Sequence, residues 1–316
     1  MKYGIPSVDL AQFTKGNEND KKEFVKALGD AYETVGFVAV KNHGLSQELI
    51  SELYRWVKAF FGLPVDIKSK YEIEGLGGQR GYTSFGKEHA KNSSAGDLKE
   101  FWHFGQYTTP EKAKAYHYPD NIEVSELPEF NKIGKEAYQQ LEKTGKDILS
   151  ALAIFLNLET DYFDQFVNDG NSILRPIHYP PIVGEPKNAV RAGEHEDINL
   201  ITLLIGASAD GLEVKNKQGE WVAVTVLDEH IVVNVGDMLQ RLTNGRLKST
   251  THRVVNPPKE QWGNSRYSIP FFLHPKGSMS LNCLPSCINE SNPKSFDDIT
   301  AGDYLMQRLR EIGLIK

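Results

Sequence analysis

A chain of 316 residues, 40% hydrophobic and 25% charged, has the make-up of an ordinary globular protein with one large domain or two closely joined ones. Its 36 basic against 42 acidic residues give a net charge of −6, which argues against the clustered Lys and Arg of a nucleic-acid binder. The start, Met1–Pro6, lacks the apolar run of a signal peptide, and the longest apolar-rich run, Leu200–Ala207, is far short of the roughly 20 residues that span a bilayer. The expectation is therefore a cytoplasmic protein with no membrane partner.

Ile5, Val8 and Leu10 predict a short opening strand. From Asn19 to Val35, the positions Phe24, Leu28, Tyr32 and Val35 keep helical spacing, with Asn19 or Asp20 as cap and Gly36 as stop. Phe37-Val38-Ala39-Val40 reads as a buried strand closed by Asn42-His43-Gly44, where His43 is a turn residue and no ligand. Ser46 opens a second helix with Ile50, Leu53, Val57 and Phe60 on one face, ended by Gly62-Leu63-Pro64. The glycine-rich stretch Gly75–Gly81 has no Lys-Ser/Thr pair after it and is not a phosphate loop. It reads as a segment at a site entrance, from which Arg80 and Tyr82 are candidates to reach substrate; a plain solvated loop is the alternative.

Pro119–Pro128 is a linker by composition, and a long helix follows from about Lys132 to Leu156, its stripe Tyr138, Leu141, Ile148, Leu152 and Phe155 bracing a sheet. After Asn171 short strands follow one another: Ser172–Tyr179, Ile198–Gly206, Gly211–Asn216, Trp221–Val226, Ile231–Val235, Thr251–Val255 and Ser268–Leu273. The expected fold is mainly β with flanking helices: a double-stranded β-helix (jelly-roll) core with a mixed helical and strand N-terminal region. The expected divisions are 1–118, a linker and bracing helix at 119–170, a catalytic domain at 171–280 and a C-terminal segment at 281–316. Cys283 and Cys287 are a metal pair, a disulfide or, in a cytoplasmic protein, reduced thiols; the last fits the compartment.

Chemistry concentrates in Glu194-His195-Glu196-Asp197. In an extended strand side chains alternate, so His195 and Asp197 point one way and Glu196 the other. His252, in Thr250-Thr251-His252-Arg253-Val254, supplies a third ligand. Two imidazoles and a carboxylate on one face of an iron leave positions open for substrate and oxygen. Fourteen residues on, Arg266 and Ser268 form a same-face pair able to hold a carboxylate by a guanidinium fork and a hydroxyl. A lone His-x-Asp is weak, because a strand histidine is more often structural. The order is what carries weight: His-x-Asp, then Val233-Asn234-Val235-Gly236-Asp237, then Thr-Thr-His-Arg-Val, then Arg-x-Ser. Asp237 reads as a turn cap, and His103, His230 and His274 complete no ligand pattern.

With these motifs in this order, and with Gly36-Phe37…Asn42-His43-Gly44 and Asp97–Phe104 before them, the chain resembles the isopenicillin N synthase-like family of non-haem Fe(II), 2-oxoglutarate-dependent oxygenases. The resemblance spans nearly the whole chain. It implies Fe(II) on His195, Asp197 and His252, 2-oxoglutarate and O2 as cosubstrates, and a small-molecule substrate that is hydroxylated, desaturated or cyclised. It also implies that Arg266 and Ser268 bind the distal carboxylate of 2-oxoglutarate and that Tyr179 contacts it. Ile177 stands where many relatives carry asparagine, and Glu196 where Thr or Ser is commoner. Arg80, Tyr82, Arg175 and Phe272 are the candidate substrate contacts. The rival readings are an iron oxidase of the same fold that works without 2-oxoglutarate and a non-catalytic metal-binding jelly roll; the intact triad argues against the second.

Overall fold

The computed structural model describes residues 5–88, 96–186, 189–206, 211–224 and 229–311. The opening strand is β1 (Ser7–Asp9), followed by α1 (Leu10–Thr14) and α2 (Glu18–Thr34). The cap of α2 is Asn17, not Asn19 or Asp20: its side chain accepts from the Asn19 and Asp20 amides, and Asp20 reaches back to the Asn17 amide. That capping box satisfies donors the first helical turn leaves over, which is why the helix starts earlier than its apolar stripe suggests. Gly36, at φ +76°, ends it and turns the chain into β2 (Phe37–Lys41). Ser46 caps α3 (Gln47–Phe61), and α4 (Val65–Ser69) follows.

β3 (Gly81–Thr83), β4 (Glu100–His103) and α5 (Pro110–Tyr116) lead to the long helix α6 (Pro128–Phe155). It begins before Lys132 because Pro128 sits in its first turn, where a missing N–H costs nothing. Tyr138, Leu141, Ile148 and Leu152 are fully buried, and the Tyr138 ring packs 5.0 Å from Phe271 in the sheet, as the stripe predicts. Each such side chain contributes about 1.5–3 kcal/mol by leaving water.

After α7 (Asp164–Val167) come β5 (Ile173–Leu174), β6 (Ile177–Tyr179), β7 (Ala192–His195), β8 (Ile201–Ile205), β9 (Leu212–Lys215), β10 (Trp221–Ala223) and β11 (His230–Val235). Helix α8 (Asp237–Leu242), β12 (His252–Val254), β13 (Arg266–Leu273) and α9 (Ala301–Glu311) complete the described elements, beside two short 3-10 turns. One sheet runs β1-β2-β11-β8-β13-β6-β4-β3, with β5 also on β13, and faces a smaller sheet β10-β9-β12-β7. Phe37 and Val232 from the first and Leu212 and Val214 from the second fill the space between, giving the jelly-roll interior. Strands from residues 7–103 lie in the large sheet beside β11 and β6, so its hydrogen bonding runs across the N-terminal and C-terminal halves.

The expected strand Ser172–Tyr179 is split. Pro176 has no amide to donate, and Pro270 in β13 lacks one too; between them the Arg175 amide bonds the Pro270 carbonyl at 2.8 Å. The break leaves Arg175 between two strand fragments. Residues 225–226 of the expected strand Trp221–Val226 lie outside the described residues, as do Met1–Gly4. No helix among the described residues is long and apolar enough to cross a membrane.

Candidate active site

Strands β7 and β12 pair antiparallel with His195 opposite His252, so the two imidazoles are cross-strand neighbours with ring centroids 4.4 Å apart. Asp197 completes the group: its Oδ1 lies 3.8 Å from His195 Nε2 and 3.6 Å from His252 Nε2. Ligand atoms of all three fall within 4.8 Å of one another. Strand alternation does not bring them together, because β7 ends at His195 and Asp197 lies beyond the strand, just before a bend at 198–200. What places it is α8. The amides of Gly236, Asp237 and Met238, at and before the helix start, donate to the carbonyls of Leu200, Asp197 and Asn199 at 2.9, 2.9 and 3.1 Å. A Cβ on Gly236 would lie 2.3 Å from the Asn199 carbonyl oxygen, so only glycine permits this approach. For the same reason β8 starts at Ile201 rather than Ile198.

Each ligand candidate is oriented from behind. His195 Nδ1 donates to the Gly193 carbonyl at 2.8 Å and His252 Nδ1 to the Thr250 carbonyl at 3.1 Å, which leaves each Nε2 lone pair toward Asp197. Thr202 Oγ1 and Asn234 Nδ2 donate to Asp197 Oδ2 at 2.7 and 2.8 Å, and Asn199 Nδ2 donates to Thr202 at 2.8 Å. Burial opposes the Asp197 charge, but the two imidazoles and these donors hold its pKa below the ordinary value. Burial, then the adjacent His252, pushes His195 down to about 4, so its imidazole is neutral at pH 7. Two imidazoles and one carboxylate fit a divalent transition metal with open positions.

Arg266 and Ser268 lie on one face of β13, opposite Tyr179 and Ile177 of β6. Both are buried, and the Arg266 guanidinium sits 5.0 Å from the Tyr179 ring centre. They line the same cavity as the triad, a cleft of about 710 Å³. That is room for a dicarboxylate and a small molecule together. Arg191, which no motif marks, has its guanidinium 6.0 Å from the Tyr179 ring centre and adds positive charge at this end.

Arg175 and Phe272 are on the cavity wall; Arg80 and Tyr82 are not. The Arg80 side chain is buried against Gly105 and donates to the Gln79 carbonyl at 2.7 Å, while the Tyr82 hydroxyl donates to Glu100. Glycine richness reflects tight turns at Gly77, Gly78 and Gly81, all at positive φ, rather than an opening onto substrate. Glu196 lines the cavity instead of facing away, since the strand alternation stops before it, and accepts from Thr251 Oγ1 at 3.4 Å. His43 serves its turn through the Leu45 amide, and His230 meets Ser7 Oγ at 3.0 Å. Cys283 and Cys287 are free thiols, both buried.

Three features of the wall lie outside the ligand and carboxylate motifs. Helix α9 supplies Tyr304, Leu305, Arg308 and Leu309; its signal is the same apolar spacing that marks the other helices, after the N-terminal Thr300-x-x-Asp303 pair. Asp237 is no turn cap: as the first residue of α8 its carboxylate accepts from Tyr304 at 2.8 Å with Arg308 at 3.5 Å and bonds no backbone amide among the described residues, and burial pushes its pKa up to about 7. His274 also faces the cavity, and a buried ion cluster of Glu88, Asp97 and Lys99 lines it too.

Comparison with known proteins agrees with this geometry. Residues 5–125 match the family model for the N-terminal part of the non-haem dioxygenase in morphine synthesis, and residues 170–275 match that of the 2OG-Fe(II) oxygenase superfamily. Kihadalactone A synthase of Citrus sinensis is 33% identical, over 98% of this chain and 92% of that protein. The 2-oxoglutarate-dependent dioxygenase ecdK of Aspergillus rugulosus is 31% identical, over 97% and 98%. Among solved structures, a 2OG-Fe(II) oxygenase family protein from Caulobacter crescentus superposes with TM-score 0.88 at 42% identity, over 99% of this chain and 100% of that one. A full-length Neurospora crassa protein, solved in complex with alpha-KG and thymine, superposes with TM-score 0.85 at 32% identity, over 97% and 96%.

Proposed function

This chain belongs to the isopenicillin N synthase-like family of 2-oxoglutarate–Fe(II) oxygenases, and on that premise we propose that His195, Asp197 and His252 hold its iron while Arg266, Ser268 and Tyr179 hold 2-oxoglutarate. The enzyme is a 2-oxoglutarate-dependent dioxygenase that oxidises a small molecule, with O2 as cosubstrate and succinate and CO2 as coproducts. The observation that supports the residue assignment is one cavity lined by both groups, the triad and the buried Arg266 with Ser268 and Tyr179.

Iron and 2-oxoglutarate together activate O2 for attack on an unactivated C–H bond. The protein's own residues do the rest. Thr202 and Asn234 occupy Asp197 Oδ2 and so turn Oδ1 toward the two imidazoles. Arg266 offers two parallel donors to a carboxylate, in a wall dry enough to make such bonds strong. Phe37, Ile173, Leu204, Leu212 and Phe272, with Leu305 and Leu309 of α9, supply the apolar part of the wall. Arg175 and Phe272 are the proposed substrate contacts.

Titration of the purified protein with Fe(II) and then with 2-oxoglutarate, without oxygen, tests this reading. About one iron per chain and a visible charge-transfer band on adding 2-oxoglutarate are expected, with succinate formed after oxygen is admitted. Substrate turnover with no 2-oxoglutarate requirement and no succinate would transfer the case to the oxidase reading. Two outer positions give further expected results. Asn234→Ala should lower iron affinity by about 10- to 100-fold with the fold intact, read from metal titration beside the far-ultraviolet dichroism spectrum. Gly236→Ala forces its Cβ against Asn199 and should cost about 1–3 kcal/mol of stability in urea unfolding, together with weaker iron binding. An unchanged unfolding midpoint would show that the α8 start does not pin the Asp197 segment.

A further inference from the structure

The substrate end of the cavity is built around Arg175. Its guanidinium is held between two rings, 4.4 Å from the centre of Phe101 and 5.0 Å from that of Phe272. Nε is engaged by His103 Nε2, and Nη1 lies 3.3 Å from both carboxylate oxygens of Glu88. Only Nη2 has no protein acceptor among the described residues, and Arg175 is on the cavity wall. Glu88 in turn meets Lys99 Nζ at 2.7 Å, and Lys99 meets Asp97 at 2.8 Å. Asp97 accepts the Gly193 amide at 3.1 Å, which ties the cluster to the strand that carries His195. Two cations thus face two carboxylates away from bulk water, with no charge left over.

His274 stands on the same wall. Its backbone amide is bonded to Ser172 Oγ at 3.2 Å, but its imidazole makes no hydrogen bond among the described residues although the residue is only 7% exposed. A buried polar ring without a partner, lining a cavity, waits for a ligand group.

We infer that the substrate of this dioxygenase is an uncharged small molecule of amide, lactam or pyrimidine type, which gives a carbonyl oxygen to Arg175 Nη2 and a second polar atom to His274. This rests on the active-site reading above. An acid is disfavoured by the local charge balance. The Arg175 charge is already matched by Glu88, so a substrate carboxylate would enter as an uncompensated buried charge. The other cations on this wall are already engaged: Lys99 is shared by Glu88 and Asp97, Arg308 on α9 meets Asp237 and Glu311, Lys215 faces Glu194 at 3.8 Å, and Arg266 is assigned to 2-oxoglutarate. Glu196, on the cavity wall with no cation in salt-bridge reach among the described residues, adds repulsion. His274 does not rescue the acid either, because burial and the nearby Arg175 hold its pKa down to about 3 and keep the ring neutral. A neutral carbonyl needs only the one donor that Arg175 has to spare, and an N–H or hydroxyl beside it suits an imidazole nitrogen.

The test is calorimetric binding to the full-length Fe(II) protein with 2-oxoglutarate, kept anaerobic, using primary amides beside the carboxylates of the same skeleton: nicotinamide and nicotinate, orotamide and orotate, benzamide and benzoate. At least one uncharged compound should bind, and in each pair that shows binding the uncharged member should bind about tenfold tighter or more. Arg175→Met and His274→Leu should each weaken that binding about tenfold, with iron content and 2-oxoglutarate affinity unchanged. Glu88→Gln removes the carboxylate facing Arg175 and should move the preference toward the acids. Acids binding as tightly as their partners, no uncharged compound binding, or unaltered binding in both wall variants each overturn the proposal. Iron and 2-oxoglutarate are measured first on the same sample, so loss of either refutes the site assignment and not the substrate class.

Discussion

Replacing Asp197 by alanine is expected to abolish stoichiometric iron binding and, with it, oxygen-dependent succinate formation. Asp197 is the one carboxylate of the triad, and its removal leaves only two imidazoles for a divalent ion. It also strands the donors of Thr202 and Asn234, which point at Oδ2 from 2.7 and 2.8 Å. Outer-shell changes around metals cost about 10- to 100-fold in affinity, so losing the carboxylate itself should cost on the order of a thousandfold or more. His252→Ala should behave alike, since it removes one of two rings that lie 4.4 Å apart across paired strands. His230→Ala, in the large sheet against Ser7, should leave iron content unchanged and serves as the control. Metal analysis after desalting, with dichroism to verify folding, decides the matter. Near-stoichiometric iron in the folded Asp197→Ala protein would place the metal elsewhere.

The second large effect is expected at Arg266. Lysine in its place keeps the charge but loses the planar fork, so Arg266→Lys should weaken 2-oxoglutarate binding while iron affinity stays nearly unchanged. A charge-assisted hydrogen bond contributes on the order of 1.5–3 kcal/mol, so losing one corresponds to roughly a 10- to 150-fold rise in the cosubstrate dissociation constant. Arg266→Ala should lose more, because the side chain is 1% exposed and alanine also opens a gap beside the Tyr179 ring. Ser268→Ala removes one neutral donor and should cost about two- to tenfold. Anaerobic titration followed by the charge-transfer absorbance gives these constants directly. Parent-like affinity in both Arg266 variants would mean that another residue grips the carboxylate, Arg191 being next in line.

Legibility differs from element to element, for reasons that trace to range. The helices α2, α3 and α6 are visible because an apolar stripe repeats every three to four residues, and that period is a property of consecutive sequence. Helices α2 and α6 start about a turn or less before the expected Asn19 and Lys132, because Asn17 and Pro128 act by the chemistry of helix ends, outside the stripe. The three ligand candidates converge, but for a reason other than the spacing suggests. His195 and Asp197 meet because the start of α8 holds the chain that follows β7, not through strand alternation. The same misplaced alternation turns Glu196 the wrong way. Arg80 and Tyr82 lie off the cavity because glycine content signals permissive backbone without saying which side of a turn faces a cavity.

The sequence alone determined the family, the order of the metal and carboxylate motifs and the jelly-roll class, because ligand chemistry and strand periodicity are written in residue types at short spacing. Tertiary structure decided the rest of the site. Arg175 meets Glu88 across 87 positions and Gly193 meets Asp97 across 96, and no local pattern encodes such pairs. Helix α9 became a wall of the cavity only because Tyr304 and Arg308 found Asp237 some 70 residues back, a distance over which chain entropy hides any preference until the core has packed. The charge neutrality of the substrate end arises in the same way: burial makes an unmatched charge costly, and packing selects which distant residue matches it.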